Sequence, residues 1–282
     1  MTSTPSPISS PPNADRIAFI GGGNMASAII GGLLKQGTPA SHIQVIEPFE
    51  AQRSKLKAFG VQVDEAASAS LTSAALVVWA IKPQTFKDAA LQVRLHTPDA
   101  LHLSVAAGIR SGSIAQWLGT QRVVRSMPNT PALVGKGITA LYAREGVTAA
   151  DRVAVKSVIK TTGDLIWLDD ESQLDVVTAI SGSGPAYVFY FLEAMIEAGM
   201  GMGLSQAQAH HLAVATFEGS SALASASTEP PEILRAQVTS KGGTTHAALT
   251  AMEQQGVKTL FIQAMHLARQ RAVALGDEFG AA

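Results

Sequence analysis

The densest set of groups able to hold a small anion lies late in the chain, at Val238-Thr239-Ser240-Lys241-Gly242-Gly243-Thr244-Thr245. Polar side chains and a glycine pair interrupt an apolar, alanine-rich region, and a periodic pattern (Ala247, Ala248, Leu249, Met252) resumes at once. This predicts a tight loop feeding a helix N-terminus, where unpaired backbone N–H groups collect an anion and hydroxyls add hydrogen bonds. A second glycine-rich stretch, Gly21-Gly22-Gly23-Asn24-Met25-Ala26, stands near the start. It fits G-x-G-x-x-A, in which the first glycine permits the turn, the second lets backbone approach a pyrophosphate, and the small third position allows close helix–strand packing. A site for a nucleotide and another for a small anionic substrate point to a reductase or dehydrogenase.

Other residues belong with the nucleotide stretch. Glu47 lies 21 residues beyond Ala26, where a carboxylate can accept hydrogen bonds from the adenosine ribose. An acid there repels a 2′-phosphate and favours NADH over NADPH, whereas Arg53, one short helix further on, could compensate; both coenzymes stay open. Ile81-Lys82-Pro83 and Ala106-Ala107-Gly108 fall at the carboxyl ends of successive strands, where doubly wound sheets bind ligands. Lys82 could stabilise negative charge on coenzyme or substrate. Each of these residues also has a plainer reading: a structural glycine turn, a Glu-Pro strand end, a solvated loop lysine, and for Thr245 a first-turn threonine.

These groups need elements to position them. Apolar segments at Arg16–Ile20, Ile43–Glu47, Leu76–Ile81, Leu101–Ala106, Val123–Val124, Ile138–Tyr142 and Leu165–Leu168 read as strands, and helical patterns alternate with them. That alternation predicts a Rossmann-type, doubly wound α/β domain over residues 15–169. From about Glu171 the strand pattern stops. Leu174–Ile180, Pro185–Met200, Ser205–Ala226, Glu232–Val238 and two segments after Thr244 read as helices, so residues 170–282 are expected to form an all-α domain. Pro185 suits a helix first turn and Ser205 an N-cap.

Composition closes off several functions. Charged residues make up only 15% and the formal net charge is −1, so no electrostatic case exists for nucleic acid or an anionic membrane surface. With no cysteine, thiolate nucleophiles, disulfides and Cys-type zinc sites are excluded, and the His210-His211 pair has no metal-ligand spacing; no metal is expected. Residues 1–14, rich in Pro, Ser and Thr, have neither a basic start nor an apolar core, and read as a disordered tail and not a signal peptide. The expectation is a soluble cytoplasmic protein.

Together Ile-Lys-Pro-Gln (81–84), Ser-Val-Ala-Ala-Gly (104–108), Met-Pro-Asn-Thr-Pro-Ala (127–132), Ser-Gly-Ser-Gly-Pro-Ala-Tyr (181–187) and Val-Thr-Ser-Lys-Gly-Gly-Thr-Thr (238–245) resemble, in order, the motifs of Δ1-pyrroline-5-carboxylate reductases. The resemblance runs over about residues 16–275. It implies reduction of the cyclic imine 1-pyrroline-5-carboxylate to proline, the last step of proline biosynthesis, with NADPH or NADH. It also implies that the helical half is a dimerisation domain, with homodimers built into rings such as a homodecamer. By the same resemblance the segment Gly21 to Ala26 would lie on the pyrophosphate, with Gly22, Asn24 and Met25 closest. Ile81, Lys82, Pro83, Ala106, Ala107, Gly108 and Asn129 would serve the coenzyme. Ser240, Gly242, Gly243, Thr244 and Thr245 would hold the substrate carboxylate, Thr245 would place its hydroxyl near the ring nitrogen, and Glu171 would stand near substrate. Lys241 departs from the pattern, since the family usually has Pro there. A related β-hydroxyacid dehydrogenase would need a catalytic Lys after its second glycine-rich motif, and residues 181–198 contain neither Lys nor Asn. A non-catalytic NAD(P)-sensing module would have no reason to carry the 242–245 loop.

Overall fold

Where four apolar residues run together without alternation, the chain forms strands buried on both faces. The computed structural model describes residues 16–280, and the tail expected at 1–14 lies outside the described residues. The first half runs β1 (Ile17–Ile20), α1 (Asn24–Lys35), β2 (Ile43–Ile46), α2 (Glu50–Lys57), β3 (Gln62–Asp64), β4 (Leu76–Trp79), α3 (Pro83–Val93), β5 (Leu101–Ser104) and α4 (Ser111–Leu118). It continues with β6 (Val123–Met127), β7 (Gly137–Ala143), α5 (Ala149–Ile159), β8 (Gly163–Leu168) and α6 (Gln173–Val177), which passes into one π-helical turn, Thr178–Gly182.

The eight strands form one sheet in the order β3-β2-β1-β4-β5-β6-β7-β8. All neighbours are parallel except β6 and β7. Register pairs Ile20 of β1 with Ile46 of β2 and Trp79 of β4, so these three strands end level. Side chains alternate between faces. Phe19, Val45 and Val78 pack with Ile29, Ile30 and Leu33 of α1 and Val155 and Ile159 of α5. Ala18, Ile20, Val77 and Trp79 pack with Phe86 and Ala90 of α3 and Ile114 and Trp117 of α4. This is the doubly wound α/β domain expected, and its strand order reverses at β1, between β2 and β4, creating the crevice where such sheets take ligands.

The remaining elements are α7 (Gly184–Gly201), α8 (Gln206–Ala226), α9 (Pro231–Gln237), α10 (Thr244–Gln254) and α11 (Val257–Gly280), so the second half is helical as expected. Pro185 lies in the first turn of α7. Ser205 caps α8, accepting the Gln208 N–H while the Gln208 side chain accepts from Ser205. By contacts the chain divides into two compact units, 1–182 with 269–282, and 183–268. The two halves of α11 thus belong to different units. Among the described residues no helix is long and apolar enough to cross a membrane.

Candidate active site

The turn after β1 begins with a backbone constraint. Gly21 has φ +90°, and a Cβ there would stand 2.6 Å from both the Ala80 carbonyl oxygen and Ile81 Cγ2. Only glycine meets both demands. Its N–H donates to the Ile46 carbonyl at 2.8 Å, tying the turn to β2. Gly23 is the N-cap of α1 and Asn24 its first residue; no side chain caps this helix, so its first N–H groups point into the loop. Gly23 and Asn24 are exposed, Met25 is half-buried and Ala26 fully buried against the sheet. This is the geometry a pyrophosphate requires: uncapped helix N–H groups, the positive end of a helix dipole and no side chain in the way.

Glu47 follows directly on β2 and is buried. Its Oε2 accepts the Gly22 N–H at 2.9 Å and its Oε1 the Phe49 N–H at 2.9 Å. Sequence order alone placed Glu47 one strand away from the glycine loop; in space it holds that loop. The Gln52 side chain also donates to the Gly22 carbonyl.

At the ends of the next strands, Ile81 packs against Gly21, exposed Lys82 is the N-cap of α3, and Pro83 opens that helix. Ala106 donates its N–H to Ser104 Oγ at 3.3 Å, and Ala107 is exposed at the turn. Leu275 and Phe279, from the last turns of α11, lie over Gly108. Asp277 pairs with Arg110 at 2.6 Å. The closing turns of α11 therefore brace the β5–α4 turn, a contact that no local pattern announces.

Two carried-over residues are engaged inside the fold. Asn129 accepts the Ile138 N–H at 3.0 Å and donates to the Ser181 carbonyl at 3.2 Å, clamping the 127–132 motif to the π turn. Glu171 accepts from the Ser111 N–H at 2.6 Å, the Ser111 hydroxyl at 2.6 Å and Arg125 Nη1 at 3.0 Å. Arg125 is buried within β6 and reaches Asp175 at 3.6 Å. Three of the roughly four acceptor positions of Glu171 are thus taken, and its observed work is to cap α4 and neutralise Arg125. A readable signal existed for this network: an arginine inside Val-Val-Arg-Ser-Met, in mid-sheet, demands a buried acid.

The second unit holds the loop at Ser240–Thr245. Gly243 donates to the Ser240 carbonyl at 3.0 Å, and Gly242 has φ +75°, which closes the turn. Gly243 is the N-cap of α10, again without a side-chain cap. The N–H groups of the first turn are therefore open, beside the hydroxyls of Ser240, Thr244 and Thr245. Thr239 and Thr250 bond back to helix carbonyls, Arg235 at 2.6 Å and His246 at 2.8 Å. Among the described residues the Thr245 hydroxyl has no such protein partner, so it is free for a ligand. Lys241 is exposed on the same loop.

Comparison with known proteins agrees with these two halves. A family model described as pyrroline-5-carboxylate reductase dimerisation matches residues 171–275, and one described as NADP oxidoreductase coenzyme F420-dependent matches residues 16–108. A pyrroline-5-carboxylate reductase of Pseudomonas aeruginosa is 44% identical over 269 residues, covering 94% of this chain and 98% of that protein. The enzyme of the same name from Haemophilus influenzae is 39% identical over 262 residues, covering 91% and 96%. Among solved structures, a pyrroline-5-carboxylate reductase from Coxiella burnetii has a TM-score of 0.86 at 34% identity, covering 93% of this chain and 98% of its own. Plasmodium falciparum pyrroline carboxylate reductase, solved with NADP bound, has a TM-score of 0.84 at 26% identity, covering 94% and 99%. Similarity at this level, over nearly the full length of each relative, means that the chain belongs to the pyrroline-5-carboxylate reductase family.

Proposed function

We propose that this protein is a pyrroline-5-carboxylate reductase, reducing the cyclic imine 1-pyrroline-5-carboxylate to L-proline with NADPH or NADH. The observation that carries the reading is the uncapped start of α10, with its open N–H groups and the partner-free Thr245 hydroxyl. A carboxylate on a small ring fits such a cradle, and Ser240, Gly242, Gly243, Thr244 and Thr245 would hold it. The coenzyme supplies a hydride to C5 of the ring. The chain needs no strong acid or base for that step, because the protonated imine nitrogen is already electrophilic at C5. Its task is to hold the ring, orient the nitrogen through the neutral Thr245 hydroxyl, and keep water out. Coenzyme binding falls to Gly21 to Ala26, Glu47, Ile81 to Pro83 and Ala106 to Gly108. Glu171 serves as a positioning residue by fixing the start of α4, and Asn129 by holding the 127–132 motif to the π turn.

The functional division we adopt is a nucleotide domain over 15–169 and a substrate and dimerisation domain over 170–282. The family match that starts at residue 171 supports it. The compact units divide later, after Gly182, because Glu171 and Asp175 anchor α6 to Arg125 of the sheet. The working form is a homodimer, built into a ring of dimers. Its support is the second unit's surface: within 183–268 the buried apolar residues are Ala209 and Ala213, while Tyr190 is 69% and Leu260 60% exposed.

The test is direct. Purified protein supplied with 1-pyrroline-5-carboxylate should oxidise reduced nicotinamide coenzyme and form proline in equal amount. Coenzyme reduction by a 2-methyl-3-hydroxy acid, with no coenzyme oxidation by the cyclic imine, would reject the reading in favour of the β-hydroxyacid class.

A further inference from the structure

Beyond β2 the chain builds a corner whose charges discriminate between the two coenzymes, and the inference from it rests on the function proposed above. Arg53 is the cation that could welcome a 2′-phosphate, yet its guanidinium is already held by four hydrogen bonds and by an ion pair with Glu65. Nη1 donates to the Glu47 carbonyl at 3.0 Å and the Pro48 carbonyl at 2.6 Å. Nε and Nη2 donate to Glu50 at 3.0 and 2.5 Å, and Nη2 lies 3.4 Å from Glu65. A guanidinium has five N–H donors in a fixed fork; four are spent in hydrogen bonds, and the Glu65 carboxylate lies against the remaining side as an ion pair. The side chain is also only 12% exposed, whereas Glu50 and Glu65 are 65% and 74% exposed.

Glu47 completes the corner. Each of its oxygens accepts one backbone N–H, from Gly22 and from Phe49, which leaves one acceptor position on each. A ribose diol offers two O–H donors to those positions. A 2′-phosphate offers no donor there and adds close to two negative charges. The three carboxylates of Glu47, Glu50 and Glu65 outnumber Arg53 and Lys57, whose ammonium acts on Glu50, so the corner stays net negative and the phosphate is repelled as well as unpaired.

We propose that this chain selects NADH over NADPH, with Glu47 reading the adenosine ribose diol and with Glu50 and Glu65 withholding Arg53 from a 2′-phosphate. The Plasmodium relative was solved with NADP bound; the selection assigned here is a property of this chain's own acids.

Two readouts test it on the full-length protein. Calorimetric titration should show NAD⁺ binding on the order of tenfold or more tighter than NADP⁺, and kcat/KM with 1-pyrroline-5-carboxylate should favour NADH by a similar factor. The double variant Glu50→Gln, Glu65→Gln alters only exposed side chains and frees two sides of the guanidinium. It should move both ratios several-fold towards the phosphorylated coenzyme. Glu47→Ser should move them further, though it also removes two backbone hydrogen bonds, so the double variant is the cleaner probe. Equal or tighter NADP⁺ binding by the unmodified protein would overturn the inference, and unmoved ratios in the double variant would overturn the role given to Glu50 and Glu65. Selective NAD⁺ binding with no turnover of the imine would instead uphold the selectivity and sink the reaction proposed above.

Discussion

Thr245 shows what a single hydroxyl can reveal. Threonines inside helices usually bond back to a carbonyl one turn earlier, as Thr250 does to His246. Thr245 stands in the first turn of α10, and its hydroxyl makes no such bond, which supports the substrate role proposed for it. Thr245→Ala should therefore lower kcat with 1-pyrroline-5-carboxylate by about fivefold, the worth of one neutral hydrogen bond of about 1 kcal/mol, while the dissociation constant for coenzyme stays put. Unaltered steady-state kinetics would remove Thr245 from the site. His102 makes the opposite point, since it is fully enclosed and remote from any proposed chemistry. The Trp79 indole N–H donates to its Nδ1 at 3.1 Å, and burial pushes its pKa from 6.5 down to about 4, with a Thr97 backbone hydrogen bond opposing and Arg122 adding to the fall. The folded state therefore refuses a proton that the unfolded chain accepts below pH 6.5. Stability should be intact above that pH and decline as pH falls towards 4, by about 3 kcal/mol in all. Urea midpoints measured between pH 7 and 5.5, above the main carboxylate range, should begin to fall for the native protein and stay flatter for His102→Gln. Parallel curves for the two would show that another group sets the slope. Glu47 was legible in the sequence because a strand end and a fixed distance from the glycines mark it. The pairing of His102 with Trp79 was not, since it joins adjacent strands 23 residues apart.

At the scale of elements, the strands that were easiest to read are those buried on both faces. Leu76 to Trp79 is apolar throughout and every residue is buried. β3 escaped notice because Gln62-Val63-Asp64 sits at the sheet edge, is three residues long, and carries polar side chains that bond Gln44 and each other. Edge strands carry no apolar run to detect. The loop at 240–245 and the glycine turn at 21–23 were both visible because open helix starts need glycine and small polar residues in a fixed order. The ties around α4 were not visible, since Ser111 and Glu171 are 60 residues apart. Those ties give a prediction for the element as a whole. Glu171→Ala would leave Arg125 buried with only Asp175 nearby and would strip α4 of its cap. Breaking a buried ion pair this way should cost about 3 kcal/mol, read as a lower urea midpoint, with KM for the imine little changed in the protein that remains folded. A normal midpoint with a much raised KM would show instead that Glu171 touches substrate, as the family resemblance implied.

For the whole molecule, the uneven distribution of its core is the governing fact. The nucleotide unit encloses Trp79, Phe19, Phe86 and a full set of aliphatic side chains. The unit at 183–268 leaves Phe189, Tyr190, Leu212, Leu223, Leu260 and Leu267 at the surface. Apolar exposure on that scale asks for a partner. The protein's Tm should accordingly rise with its concentration, because association stabilises the folded state by mass action. Light scattering that returned a fully active monomer of 29.3 kDa would defeat this expectation. Composition hinted at it, through abundant Ala and Gly and few aromatics, but the sequence could not say which faces stay open.

The closing turns of α11 carry a last consequence, for synthesis. Leu275 and Phe279 cover Gly108, and Asp277 holds Arg110, so the nucleotide unit is discontinuous along the chain. On the ribosome its first 182 residues emerge well before the strip that finishes it, with all of 183–268 translated in between. At 5–20 residues per second that interval is roughly 4 to 17 seconds. Throughout it the β5–α4 turn has no cover, and the nascent unit holds all eight strands of its sheet with an unfinished mouth. Cover over the β5–α4 turn thereby waits for the second half of α11, and a message cut short after residue 268 would leave that mouth open for the life of the product.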